Sequence, residues 1–233
     1  MPPSHLRELA DGLWCIDHRD FSVGGLRIGT RSTVVRLSDG TLLLHSPGPL
    51  GTTGFAAIRE LGTVSHVVAA NRMHDLFYGA ATAEFPQACG LAPRSVREAK
   101  PNVRVDEALG DRVPASLAQD FELMQLQGAP KLDEHLLFHA ATRTLLAVDV
   151  AFNIRNATGF TRFAMWLNDG NDKFGMTRLG KAQYLSDYAA CAASVDRACD
   201  AWDIGRIVVG HGEVLESGGR EALRRAFDFG RHQ

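Results

Sequence analysis

The sequence predicts a layered α/β fold, built as a single domain over residues 1–233. Short apolar runs of strand length crowd the first third, β signal returns between residues 121 and 149, and the last third carries helical periodicity. The Asp39-Gly40 pair between two apolar runs is a strong hairpin signal, because Gly tolerates the positive φ such turns need. In Val64-Ser65-His66-Val67-Val68-Ala69-Ala70-Asn71-Arg72-Met73-His74-Asp75 a β run stops and polar, ligand-type residues follow at once. An α/β fold presents its chemistry at such carboxyl ends of strands.

Taken in order, strands are expected at Leu13-Trp14-Cys15-Ile16, Thr33-Val34-Val35-Arg36-Leu37 and Thr41-Leu42-Leu43-Leu44-His45, the last ended by Ser46-Pro47-Gly48-Pro49. Residues 53–61 read as a helix with Phe55, Ile58 and Leu61 on one face and Gly62 as its stop. A strand covers 64–70. Cys89-Gly90-Leu91-Ala92 reads as a short strand, 93–100 as a helical turn closed by Pro101, and 101–118 as loop. β runs follow at 121–126, 135–139 and 144–149, with a turn at 140–143 joining the last two. Phe160, Phe163 and Trp166 have the spacing of a helix packing face. Between 181 and 202 the apolar positions Tyr184, Tyr188, Cys191, Val195, Ala198 and Trp202 keep helical spacing, which predicts a helix stopped by Asp203-Ile204-Gly205. The strand Arg206-Ile207-Val208-Val209 leads to Gly210-His211-Gly212, and a helix over about 219–229 closes the chain. This order fits two similar halves, each a sheet covered by helices.

Composition narrows the function. An apolar fraction of 45% and a charged fraction of 22% describe an ordinary globular protein. Net charge is −2, and the cluster Arg220, Arg224 and Arg225 reads as a solvated helix face, so no nucleic-acid partner is expected. No apolar run approaches the roughly 18 residues of a membrane span. The segment Met1-Pro2-Pro3-Ser4-His5-Leu6-Arg7-Glu8 has no apolar signal core, and the expectation is a cytoplasmic protein without a membrane partner. Cys15, Cys89, Cys191 and Cys199 form no C-x-x-C pair and read as free thiols. Exposed edge strands make a homodimer an expectation.

Four strand ends supply metal-ligand chemistry: His45, His74 or Asp75, Asp149 and His211. Glycines on both sides of His211 let the backbone turn and leave the imidazole unobstructed. Asp149 interrupts an apolar run, where a carboxylate is costly unless it is paired or bound to a cation. Nitrogen and oxygen donors of this kind suit Zn²⁺, Mn²⁺ or Fe. His135 and His139, at i and i+4 of one strand, share a sheet face and read as satisfied histidines rather than ligands. Asn71, Glu134 and Trp166 are the candidate substrate contacts.

Together these residues resemble the metallo-β-lactamase fold, in an uncharacterised branch of that superfamily. The resemblance runs through Arg31-Ser32-Thr33-Val34-Val35, Gly40, His45-Ser46-Pro47, Ala70-Asn71…His74, Arg143-Thr144-Leu145-Leu146…Asp149…Phe152-Asn153 and Gly210-His211-Gly212. It implies an αββα four-layer sandwich with a metal site at one edge. It also implies that Asp149 takes the place of the bridging Asp, and His211 that of the last His ligand. Ungapped, Asp75 falls on the Asp of His-x-His-x-Asp-His. Asn71, Met73 and Leu76 then replace its three histidines, and Glu134 or His135 is the nearest substitute for the missing Gly-His-Thr. A two-metal site needs about six ligands, and the first-metal corner is gone.

The resulting expectation is one divalent transition metal, Zn²⁺ first, held by some of His74, Asp75, Asp149 and His211. The protein then hydrolyses a small ester, thioester or lactone. Asp75 or Asp149 takes a proton from water, and His45 or His74 polarises the carbonyl. The alternative is a metal-free, non-enzymatic descendant that binds a small molecule or a protein partner. A diiron redox or nitric-oxide-handling role, known in other branches, is disfavoured because it needs the missing histidines.

Overall fold

The computed structural model describes residues 6–230, so the first five residues of the N-terminal segment lie outside it. Eleven strands form two sheets. The larger takes β1 (Leu6–Ala10), β2 (Leu13–His18), β5 (Thr30–Arg36), β6 (Leu42–His45), β7 (Val64–Val68), β8 (Cys89–Pro93) and β9 (Glu107–Leu109), hydrogen-bonded in that order. The smaller takes β10 (Phe121–Gln125), β11 (His135–His139), β12 (Thr144–Leu146) and β13 (Arg206–Val208). A separate hairpin of β3 (Ser22–Val23) and β4 (Leu26–Arg27) stands between β2 and β5.

Side-chain alternation divides the core into three layers. Val34, Leu44 and Val67 face one way, with Ile58 of α1 (Gly51–Leu61), Tyr78 and Ala81 of α2 (Tyr78–Glu84) and Val96 of α3 (Arg94–Ala99). Their neighbours Val35, Leu43 and Val68 face the other way and meet Leu137, Leu146 and Val208 of the second sheet. On that sheet's far side, Leu136, Phe138, Leu145 and Ile207 pack against Val195 and Cys199 of α6 (Tyr188–Ala201) and Leu223 of α7 (Gly219–Ala226). Strands buried on both faces need apolar residues at every position, which is why β6 reads Leu-Leu-Leu rather than alternating. The architecture is the expected four-layer αββα sandwich.

Both sheets place parallel strands beside the site. β6 and β7 run parallel, and so do β12 and β13. Beyond β7 the chain bonds directly to the second sheet's approach segment: the His135 N–H donates to the Ala70 carbonyl at 2.9 Å and the Arg72 N–H to the Leu132 carbonyl at 3.1 Å.

Several elements differ from expectation. The helix expected across 181–202 is two, α5 (Arg178–Tyr184) and α6, because Asp187 caps α6 by accepting from the Ala190 N–H at 2.8 Å. The Ser186 and Asp187 N–H groups turn instead to the Gly128 carbonyl. Residues 101–118 contain the edge strand β9, and the last helix stops at Ala226 before a 3-10 turn. On α4 (Gly159–Leu167), the expected packing face is turned to solvent: Phe160, Phe163 and Trp166 are exposed, while Thr161 and Met165 face inward. All four cysteines are free, and among the described residues no helix is long and apolar enough to cross a membrane.

Leu137 is fully buried between the sheets. Leu137→Ala is expected to cost about 3 kcal/mol and lower Tm by roughly 6–12 °C in a thermal melt.

Candidate metal centre

Three strand ends deliver three ligand-type side chains to one point. His74 follows β7, Asp149 follows β12 and His211 follows β13, and each is buried. The two Nε2 atoms lie 3.3 Å apart; His211 Nε2 is 3.3 Å from Asp149 Oδ1, and His74 Nε2 is 3.6 Å from Asp149 Oδ2. Tetrahedral bonds of about 2.0–2.1 Å to zinc set ligand atoms roughly 3.3–3.4 Å apart. With one Asp149 oxygen facing each imidazole, these separations are compatible with an ion of that size held by three protein groups.

The outer ring nitrogens are already engaged. His211 Nδ1 donates to the Gly29 carbonyl at 2.6 Å; a carbonyl can only accept, so in the neutral ring Nε2 carries the lone pair. His74 Nδ1 lies 2.5 Å from the Ser46 hydroxyl. Ser46 sits just past β6 with φ of 51°, a left-handed conformation that turns the chain beneath His74.

Asn71 holds the near side of the site. Its Oδ1 accepts from the Met73 and His74 N–H groups, both at 2.8 Å, which closes the turn carrying His74. Its Nδ2 donates to Asp149 Oδ2 at 2.9 Å and to Glu134 Oε2 at 3.3 Å. Every hydrogen-bonding position of this amide is thus used inside the protein, and the expected substrate contact is replaced by a positioning role.

Glu134 is likewise internal. Fully buried, it accepts from the Val148 N–H at 2.7 Å and the Asp149 N–H at 3.0 Å, so it fixes the chain as it leaves β12. Burial and the neighbouring Asp149 charge push its carboxyl up to about 8, against the pull of the N–H donors. Burial also acts to raise Asp149, but His74 and His211 outweigh it and hold that carboxyl well below the usual range.

Other expected residues lie differently. Asp75 is not part of the triad: its carboxylate accepts from Lys100 Nζ at 2.7 Å. His45 is buried, its pKa driven down to about 3 by burial and by His74, and its Nε2 has no partner among the described residues. Trp166 stands exposed on α4 with its ring against Phe163, and is not among the triad's partners. His139 Nδ1 bonds Thr142 Oγ1 at 2.8 Å, and His135 Nδ1 faces the Asp133 carbonyl at 3.2 Å. Neither joins the triad.

The residue missed was Arg31. Buried to 4% exposure, it donates from Nε to Asp17, and from its two terminal nitrogens to the Val209 and Gly212 carbonyls, each at 2.6 Å. It clamps the loop carrying His211 to the first sheet. Its neighbours Thr30, Ser32 and Thr33 are polar too, so nothing local marked it, and only packing buries it.

The two glycines of that loop act differently. Gly212 has φ of +86°, whereas a Cβ on Gly210 would meet His74 Cε1 at 2.7 Å. Gly210→Ala is expected to displace the His74 ring and weaken metal binding at least tenfold, measured by competition with a chromophoric chelator, while the fold persists by circular dichroism.

No family pattern and no characterised protein matches the chain by sequence. Solved structures do match it by shape. A metallo-β-lactamase from Erythrobacter litoralis superposes with a TM-score of 0.69 at 17% identity, over 100% of this chain and 98% of that one. One from Hirschia baltica gives 0.66 at 11%, over 97% and 96%. FIM-1 from Pseudomonas aeruginosa, in its mono-zinc form, gives 0.65 at 11%, over 99% and 97%. At such identities the likeness carries architecture and not chemistry: the chain has the metallo-β-lactamase fold.

Proposed function

We propose that this protein is a single-metal hydrolase of a small ester, thioester or lactone. What supports this is the convergence of His74 Nε2, the Asp149 carboxylate and His211 Nε2 within 3.3–3.6 Å. Three protein ligands with an open further position are the pattern of catalytic rather than structural zinc. The ion, Zn²⁺ first with Mn²⁺ or Fe as alternatives, would supply Lewis acidity to a carbonyl and a more acidic bound water.

The chain's own residues do the rest. His211 is fixed in the useful tautomer by the Gly29 carbonyl, and the Ser46 hydroxyl at His74 Nδ1 can accept from that nitrogen when Nε2 holds a metal. Asn71 holds the Asp149 carboxylate and Glu134 its backbone N–H, so its two oxygens stay divided between the two imidazoles. The Phe152 ring, 5.2 Å from that of His211, covers one flank and limits water. His45 is neutral at working pH, so its unpartnered Nε2 offers a neutral hydrogen bond to the reacting carbonyl or water, not a cationic one. Asp75 is engaged by Lys100 and Asp149 is held too acidic to be an effective base, so Asp149 serves as a ligand rather than as the proton acceptor.

Elemental analysis of the purified protein is expected to give about one equivalent of transition metal. It should be lost in Asp149→Asn and in His211→Ala, and retained in Asp75→Asn. A protein that stays metal-free after growth with added Zn, Mn and Fe sinks the proposal and leaves the metal-free binding module.

On a panel of small esters, thioesters and lactones, His45→Gln is expected to lower kcat about 10²-fold with metal content unchanged. An unaltered kcat removes His45 from the chemistry.

A further inference from the structure

The helix α4 carries an apolar face that the described residues leave uncovered. Phe160, Phe163 and Trp166 are 64%, 54% and 67% exposed, and Leu167 is exposed beside them. Thr161 and Met165 anchor the opposite side of the helix, where Thr161 Oγ1 accepts from the Arg27 N–H at 3.0 Å. The face continues onto α5. The Arg178 N–H donates to the Asn168 carbonyl at 2.9 Å, and the next residue, Leu179, is again exposed.

Three aromatic rings at that exposure leave about 350 Å² of apolar surface to water, and the two leucines add to it. The surround is polar: Arg178 and the Lys173–Asp169 ion pair line a groove of about 380 Å³ beside Trp166 and Leu167. A contiguous apolar patch of this size inside a polar rim is the plan of a protein interface.

The order of the residues says what covers it. Three residues along a helix fall about 60° short of a full turn, so Phe160 and Trp166 stand symmetrically on either side of Phe163. The stripe therefore reads aromatic-x-x-aromatic-x-x-aromatic in both directions. A twofold axis through Phe163 would lay two antiparallel copies of α4 together, Phe163 on Phe163 and Phe160 on Trp166. Leu167 would then lie over Gly159, which has no side chain to obstruct it. A patch complementary to itself is what an isologous contact requires.

We propose that α4 pairs with α4 of a second copy of this chain, making the protein a homodimer with Phe163 on its axis. A standard interface takes about 800 Å² from each partner, and about two-thirds of a homodimer's is apolar. That is close to what the three rings and two leucines expose. The edges of the larger sheet offer less: β9 has three residues, and β1 shifts register between Glu8 and Ala10. The interface uses no residue of the triad and stands apart from the hydrolase proposal.

Sedimentation equilibrium of the full-length protein tests this. A monomer–dimer equilibrium with a micromolar or tighter Kd is expected. Phe163→Asp sets two carboxylates against each other on the axis and should weaken it by about 100-fold or more. Phe163→Lys should do the same, and an equimolar mixture of the two variants should recover a heterodimer, because position 163 meets only itself. Circular dichroism checks that each variant folds. A monomer at every concentration, a Kd unchanged in Phe163→Asp, or a mixture of two folded variants that stays monomeric overturns the proposal. Monomeric protein that co-sediments with phosphatidylcholine–phosphatidylglycerol vesicles assigns the stripe to a lipid surface and overturns it as well. Metal content measured on the same samples separates the two proposals: a metal-free dimer refutes the hydrolase and keeps this interface.

Discussion

Asp149 and Glu134 are carboxyl groups at 4% and 0% exposure, and polar groups so far from water, the Asp149 charge above all, must be compensated on every side. Two imidazoles, one amide and two backbone N–H groups do this, and they come from β7, β12 and β13 or the turns just past them. The site is therefore also a junction between the two sheets. Removing a partner would strand a buried charge, a larger effect than the loss of one ordinary hydrogen bond.

The surrounding backbone follows from that demand. Asn71 closes its turn so that His74 faces Asp149, and Ser46 adopts a left-handed conformation beneath the same ring. Gly210 leaves room for that ring, and Arg31 draws the His211 loop onto the first sheet. Seen this way, the departure from His-x-His-x-Asp-His is a substitution of roles. Where the family motif has its first histidine stands an amide that orients a carboxylate, and His74 is the imidazole that faces Asp149.

The metal centre and a neighbouring cavity of about 490 Å³, lined by Arg19, Arg27 and Arg155, meet at Gly29 and Gly212 but differ in electrostatic character. One is buried and closes its charges internally, as a site for a small cation does. The other is open and, among the described residues, leaves the Arg19 and Arg27 guanidiniums without an acceptor. The hairpin and helix that wall the cavity carry exposed apolar residues, Val23 and Phe160 among them.

The sequence alone determined what depends on near neighbours in the chain. Leu-Leu-Leu of β6, the Asp39-Gly40 turn and the Gly62 stop are set by local sterics and by strands buried on both faces, so a layered α/β fold was legible from them, and its four-layer form came from the family resemblance. His74, Asp149 and His211 were legible as candidates because polar residues ended apolar runs. Which candidates meet was a tertiary decision. Asp75 neighbours His74 in sequence, yet Lys100 claims it. Asn71 and Glu134 exhaust their bonds inward, and Trp166 keeps helical spacing on a face that is exposed. The break before α6 depends on the Gly128 carbonyl, 58 residues from Ser186. Periodicity reports which side of an element is apolar; only packing settles what that side, or a buried charge, finds opposite it.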